Sequence, residues 1–144
     1  MEMITLERVT ADQILDLRHA VLLAGLSRET AHFAGDDNEQ TVHLAAIENG
    51  KIIGCATVLT NAFGGQPACQ LRGMAVHPAD QRRGVGRELL EEVDRIAAEK
   101  GAKLLWANCR KPAVPFYAKH GWSVVSDEFD VPTAGPHFKM IRKL

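Results

Sequence analysis

Cysteine is scarce in these 144 residues: Cys55, Cys69 and Cys109 are the full set, and no two form a C-x-x-C pair. Their odd number and wide spacing support neither a zinc ribbon nor a disulfide scaffold, so no metal is expected and a reducing, cytoplasmic setting is the default. An excess of charge is also missing, because 17 Lys and Arg stand against 18 Asp and Glu, a formal charge of -1. A dedicated nucleic-acid binder normally carries a strong basic excess, so no nucleic-acid partner is expected. No apolar run approaches the length that crosses a bilayer, and no membrane partner is expected. Residues Met1 to Arg8 hold acids and no apolar core, which does not read as a signal peptide. Repeats and low-complexity stretches are lacking too. What is left, 46% hydrophobic and 24% charged, is the composition of an ordinary globular chain. The length fits one domain over residues 1–144, able to bury roughly 68–70% of its unfolded surface without staples.

Local patterns divide the chain into ten elements. Met3 to Val9 alternates apolar and polar residues, as a strand does. Thr10 followed by Gln13 is a capping-box pattern, and the helix after it places Ile14, Leu17, Val21 and Leu22 on nearly one face. Val42 to Ile47 and Ile52 to Leu59 flank an Asn-Gly turn, the strongest short hairpin signal. Leu71 to Val76 reads as a further strand. A helix from Gly84 to Lys100 repeats Leu89, Leu90, Val93, Ile96 and Ala97 at the helical period, with Gly101 as its natural C-terminal stop. Lys103 to Cys109 (strand), Pro112 to His120 (short helix), Trp122 to Phe129 and His137 to Ile141 (strands) complete the order β-α-β-β-β-α-β-α-β-β. That is a mixed α/β sheet with helices against it, containing one β-α-β unit and hence a parallel strand pair.

The most informative segment runs from Met74 to Gly86. A strand delivers the chain to a polar loop, and the loop opens into the long helix through Gly84 and Gly86. Helix N-termini present unpaired N–H groups and the positive end of the dipole, and glycine lets an anion approach the backbone. Between positions 72 and 87, Arg72, Arg82, Arg83 and Arg87 concentrate positive charge against the single acid Asp80. A dinucleotide fingerprint fails because its third glycine position is Leu89, and a P-loop fails because no Gly-Lys-Ser/Thr follows. An ordinary loop-to-helix turn and a pyrophosphate site of another kind remain.

Gln81-Arg82-Arg83-Gly84-Val85-Gly86 resembles the Q/R-x-x-G-x-G/A signature of the GNAT superfamily of acetyl-CoA-dependent N-acetyltransferases. Val76-His77-Pro78 is similar to the family's lead-in to that loop, and Phe116 to Trp122 is similar to its aromatic segment downstream. The element order is also the family's. The resemblance implies the GNAT fold, acetyl-CoA as cosubstrate, a small-molecule or peptide amine as acceptor, and possible homodimers. It implies that Gln81, Arg82, Arg83, Gly84, Val85 and Gly86 hold the pyrophosphate of CoA. It further implies that Met74, Ala75 and Val76 pair with the pantetheine arm, that Asn108 takes a CoA contact, and that the parallel strands splay near Ala75 and Asn108.

Tyr117, the only tyrosine, falls on the family's tyrosine position. Phenol and thiol acidities are close enough for it to protonate the departing CoA thiolate, and it would also contact CoA. The general base is open: Leu71 to Val76 holds no carboxylate, which leaves His77, His43, His137 or a water chain. Cys109 as a nucleophile lacks a visible orienting group, and the acidic stretch Asp36 to Glu39 reads as a solvated loop that could attract a cationic amine. The reading is direct acetyl transfer in a ternary complex; a non-catalytic acyl-CoA-binding module is the alternative.

Overall fold

The computed structural model describes residues 3–144; Met1 and Glu2, part of the segment weighed above as a leader, lie outside the described residues. Thr5–Val9 (β1) leads into Ala11–Leu22 (α1), where Gln13 Oε1 accepts from the Thr10 amide at 2.9 Å, one arm of the capping box. Val42–Glu48 (β2) and Lys51–Thr60 (β3) form the hairpin, and Asn49 and Gly50 at φ 52° and 74° supply its two left-handed turn residues. Ala68–Val76 (β4), Val85–Glu99 (α2) and Leu104–Arg110 (β5) make the β-α-β unit, followed by Val114–Lys119 (α3). Ser123–Val124 (β6), Phe129–Val131 (β7) and Gly135–Lys143 (β8) close the chain.

One sheet runs in the order β1-β2-β3-β4-β5-β8-β6, with β7 also on β8. Its period-two alternation, reset on β3 where Ala46 faces Gly54 but Ile47 faces Ile52, sends side chains to two cores. Leu44, Ala46, Ile53 and Leu105 pack beneath Val85, Leu89, Val93 and Ile96 of α2, whereas Ala45, Cys55 and Ala75 meet Ile14 and Leu17 of α1 on the other face. The predicted α1 stripe holds, with Val21 and Leu22 half-buried at its end.

The sequence-based strand from Trp122 to Phe129 does not form as one piece. Between the pairs Val124–Met140 and Phe129–His137 the chain advances five residues against three on β8, so two residues bulge out. Ser126 Oγ accepts from the Lys139 amide at 2.8 Å there, doing the work of a ladder carbonyl.

The feature that positions the site is where the parallel pair ends. β4 and β5 are joined only at Ala68–Leu104, Cys69–Leu105 and Gln70–Trp106. Farther along, β4 stays with β3 and β5 with β8, so the two part. β4 is bent at that point by an extra residue: Cys55 faces Ala75, but Thr57 already faces Arg72, with Gly73 at φ 57° between.

Candidate active site

Two cavities open on the parted strands. The larger, about 1020 Å³, lies along Met74, Ala75 and Val76 of β4 and the loop into α2. The smaller, about 200 Å³, is walled by the end of α1, the loop at Phe33, β4 from Leu71 to Met74, and β5 from Ala107 to Arg110. Met74, Arg110, Ala113 and Tyr117 line both, so the cavities meet at the splay beside Tyr117.

In the larger cavity the loop-to-helix segment has the form that an anion needs. Arg82 at φ 66° and Gly84 at φ 82° are both left-handed, a conformation that turns backbone amides into a concave row. Gly84 caps α2 without a side-chain hydrogen bond, and a Cβ built on it would meet nothing within 4 Å. The first turn of this 15-residue helix therefore lines the cavity with amides that no capping side chain covers. Gly86 is needed for another reason: a Cβ there would stand 2.9 Å from Phe116 Cζ, so it lets α3 lie against α2. Gln81, Arg82, Gly84, Val85 and Gly86 all line this cavity, with Arg87 beside them. Gln81 Nε2 donates to Val76 O at 3.2 Å and ties the loop to the strand end.

Two of the residues assigned to CoA from the sequence sit elsewhere. Arg83 does not line the cavity; its guanidinium is committed to Glu48 at 2.6 Å and Asp80 at 2.7 Å, and this pairing holds the Glu48 carboxyl below its usual range. Asn108 lines the smaller cavity instead, because its register partner on β8 is Lys139, whose Nζ donates to Asn108 Oδ1 at 2.9 Å.

Tyr117 is buried, its ring edge-on to Phe116 and Trp122. Burial, with a smaller contribution from Cys109, pushes its phenol well above the ordinary value, so the proton stays on at neutral pH. Burial likewise raises Cys109 to about 12 and Cys55 to about 11. Burial disfavours the thiolate a nucleophilic Cys109 needs, and the one hydrogen bond of its Sγ among the described residues is to the Ala107 carbonyl, at 4.0 Å.

The three histidines separate clearly. His77 lines neither cavity, and its Nδ1 accepts from the Ala79 amide at 3.2 Å as the cap of the turn Pro78–Asp80. His43 is buried with both nitrogens occupied, by Thr57 Oγ1 at 2.8 Å and the Asp36 carbonyl at 3.0 Å. His137 lines the smaller cavity, and its Nδ1 lies 2.8 Å from the Gly135 carbonyl. A carbonyl can only accept, so Nδ1 carries a proton, and in the neutral imidazole Nε2 is the nitrogen that holds the lone pair.

Sequence reasoning missed Arg18. It stands on the apolar stripe of α1 and is fully buried. Its Nη1 donates to Asp36 Oδ2 at 2.6 Å and to the Ala31 carbonyl at 2.7 Å, its Nη2 donates to Thr57 Oγ1 at 2.7 Å, and its guanidinium lies 4.1 Å over the Phe33 ring. The Phe33 amide also donates to Asp36 Oδ2, at 2.9 Å. Asp36 is therefore no solvated acid awaiting an amine but the buried anchor of the loop that brings Phe33 to the cavity. Burial alone would push its carboxyl up, yet Arg18 and the Phe33 amide together hold it below the usual range. Gly73 makes room, since a Cβ there would lie 2.7 Å from Arg18 Nε. The available signal was a charge at position 18 inside the repeat 14, 17, 18, 21.

The model of the acetyltransferase (GNAT) family matches residues 8–122. The chain belongs to that family. It is an acetyltransferase, with the mixed α/β fold that the family uses. An uncharacterized N-acetyltransferase, YitI of Bacillus subtilis (strain 168), is 28% identical over 149 residues, covering 99% of this chain and 97% of that protein. Among solved structures, a GNAT family acetyltransferase from Elizabethkingia anophelis with acetyl-CoA bound is 19% identical with a TM-score of 0.74, covering 98% of both chains. An aminoglycoside 6'-N-acetyltransferase complexed with coenzyme A is 13% identical with a TM-score of 0.77, covering 96% of both chains.

Proposed function

We propose that this acetyltransferase moves the acetyl group of acetyl-CoA to a primary amine by direct transfer, with Tyr117 as proton donor and His137 as proton acceptor. The observation that carries this reading is the meeting of the two cavities at Tyr117, where β4 and β5 part. The loop fits a pyrophosphate: the first residues of α2 line the cavity without a side-chain cap, and Arg82 and Arg87 stand beside them. Bound acetyl-CoA supplies an activated acyl group and a thiol leaving group.

The chain's own residues do the rest. The unpaired edge of β4 at Met74, Ala75 and Val76 offers backbone groups to an extended arm, in the manner of an added strand. His137 Nε2 takes the proton that the attacking amine loses. Tyr117 gives its proton to the departing sulfur. Its phenol is raised, but so is the thiol of Cys109 next to it, to about 12, by burial alone. A sulfur leaving in the same surroundings is raised alongside the phenol, so the two remain close enough for transfer.

The test is release of free CoA thiol from acetyl-CoA with a panel of amines. Amine-dependent release by the wild type, reduced in Tyr117→Phe and in His137→Gln while acetyl-CoA affinity persists, supports the reading. Full turnover in both variants overturns the residue roles, and absence of release with every amine overturns the transfer itself.

A further inference from the structure

Taking that reading as its basis, the charge in the smaller cavity narrows the acceptor. The chain has ten arginines, and seven of them (Arg8, Arg18, Arg28, Arg83, Arg87, Arg95 and Arg142) have a carboxylate within 4 Å. Among the described residues the other three have none, and all three line the cavities: Arg82 the larger, Arg72 the smaller, Arg110 both. Among the described residues no Asp or Glu stands in the wall of the smaller cavity. Asp36, on the loop that carries Phe33, is turned inward and paired with Arg18.

Arg72 is also held in place. Its Nη1 donates to the Ala34 carbonyl at 2.6 Å and its guanidinium lies 5.8 Å from the Phe33 ring centroid, while Nε and Nη2 make no hydrogen bond among the described residues. That free edge is the fork that receives a carboxylate through two parallel bonds. We infer that the acceptor is a small amine that carries a carboxylate, and that Arg72 binds this carboxylate on the wall of the smaller cavity. The same guanidinium discourages the ammonium form of a nearby amine and leaves the unprotonated form that attacks. It repels polyamines and other polycations, for which this wall offers no counter-charge. At about 200 Å³ the cavity suits an amino-acid-sized molecule, with Leu22, Leu23 and Phe33 as an apolar side.

The test compares kcat/KM, at equal concentrations of free amine, for an apolar α-amino acid, its carboxamide, its decarboxylated amine and a linear diamine. The carboxylate is expected to raise kcat/KM over the carboxamide by about tenfold or more, the worth of a charge-assisted pair of hydrogen bonds. Arg72→Gln should bring that ratio to about one, and Arg72→Lys should restore part of it. A wild type that prefers the carboxamide or the diamine, or a ratio unchanged in Arg72→Gln, overturns the inference. Calorimetric binding of the amino acid to the CoA-loaded protein reads the same site without chemistry. If no amine releases thiol, the transfer reading fails, whereas carboxylate binding that is lost in Arg72→Gln still upholds the site. Binding indifferent to the carboxylate or to residue 72 overturns it.

Discussion

Asp36→Asn removes one charge and changes almost no volume, which makes it a direct probe of the buried pair with Arg18. The Arg18 side chain is 0% exposed and that of Asp36 5%, at 2.6 Å separation. Neutralising Asp36 leaves a guanidinium buried without its counter-charge, a situation that costs about 3–5 kcal/mol in comparable sites. The low end applies here, because Ala31 O, Thr57 Oγ1 and the Phe33 ring still face Arg18. Asparagine retains one acceptor oxygen, best placed where Oδ2 now takes both Arg18 Nη1 and the Phe33 amide; its NH2 then faces Arg18 Nη2, now 3.3 Å from Oδ1. A loss of about 3 kcal/mol is a large share of the total for a domain of this size and should lower Tm by about 10 °C.

Urea unfolding followed by far-UV circular dichroism measures it, and pH supplies a second check. The Asp36 carboxyl lies below its unfolded value, so the pair contributes fully above about pH 4–5 and its contribution fades as pH falls through the folded value. The gap between wild type and Asp36→Asn should thus be constant from about pH 7 to about pH 5 and shrink only below about pH 4. Replacing both partners, Arg18→Met with Asp36→Leu, should cost less than Asp36→Asn alone, since no charge is stranded. A gap under about 1 kcal/mol near neutral pH, or one that already narrows at about pH 6, would refute the reasoning.

Tyr117→Phe should lower kcat by about 10²-fold with little change in KM for acetyl-CoA, measured by thiol release. His137→Gln should lose a similar factor of about 10², and the loss should shrink as pH approaches the acceptor's own pKa, where solution supplies the free amine. Gly86→Ala places a methyl 2.9 Å from Phe116 Cζ. Pushing α3 aside should cost about 1–3 kcal/mol by urea unfolding and reduce kcat, because Tyr117 rides on that helix. Cys55, Cys69 and Cys109 are buried with raised thiol values, so an aromatic disulfide reagent at mildly alkaline pH should label none in the native protein and all three after denaturation.

What was legible in the sequence is what a short stretch of chain determines by itself. The α2 stripe, the Asn49-Gly50 hairpin and the glycine-rich helix start depend on neighbours within a few residues, and they formed where periodicity and turn chemistry put them. The interrupted strand near Trp122 was less legible, because its break comes from a side-chain oxygen of Ser126 reaching a ladder amide of Lys139. The acceptor side was barely legible at all. Arg18 lies 18 residues from Asp36 and 39 from Thr57, and only the sheet brings them together.

The histidines make the same point for chemistry. His77 stands next to the motif and invited the role of base, but proximity in sequence made it a turn cap, while His137, sixty residues on, reaches the cavity because β8 lies beside β5. Residue types at the motif could be assigned by spacing; residues across the sheet could be weighed only by what each nitrogen and each guanidinium has left to offer. On that count His137 has its Nε2 to offer, Arg72 keeps its fork, and Asp36 keeps nothing. Asp36, read from the sequence as part of a solvated acidic loop, instead spends its charge on Arg18 in holding the wall, and the cavity beside it, walled by Arg72 and Arg110, suits an acceptor of the opposite sign.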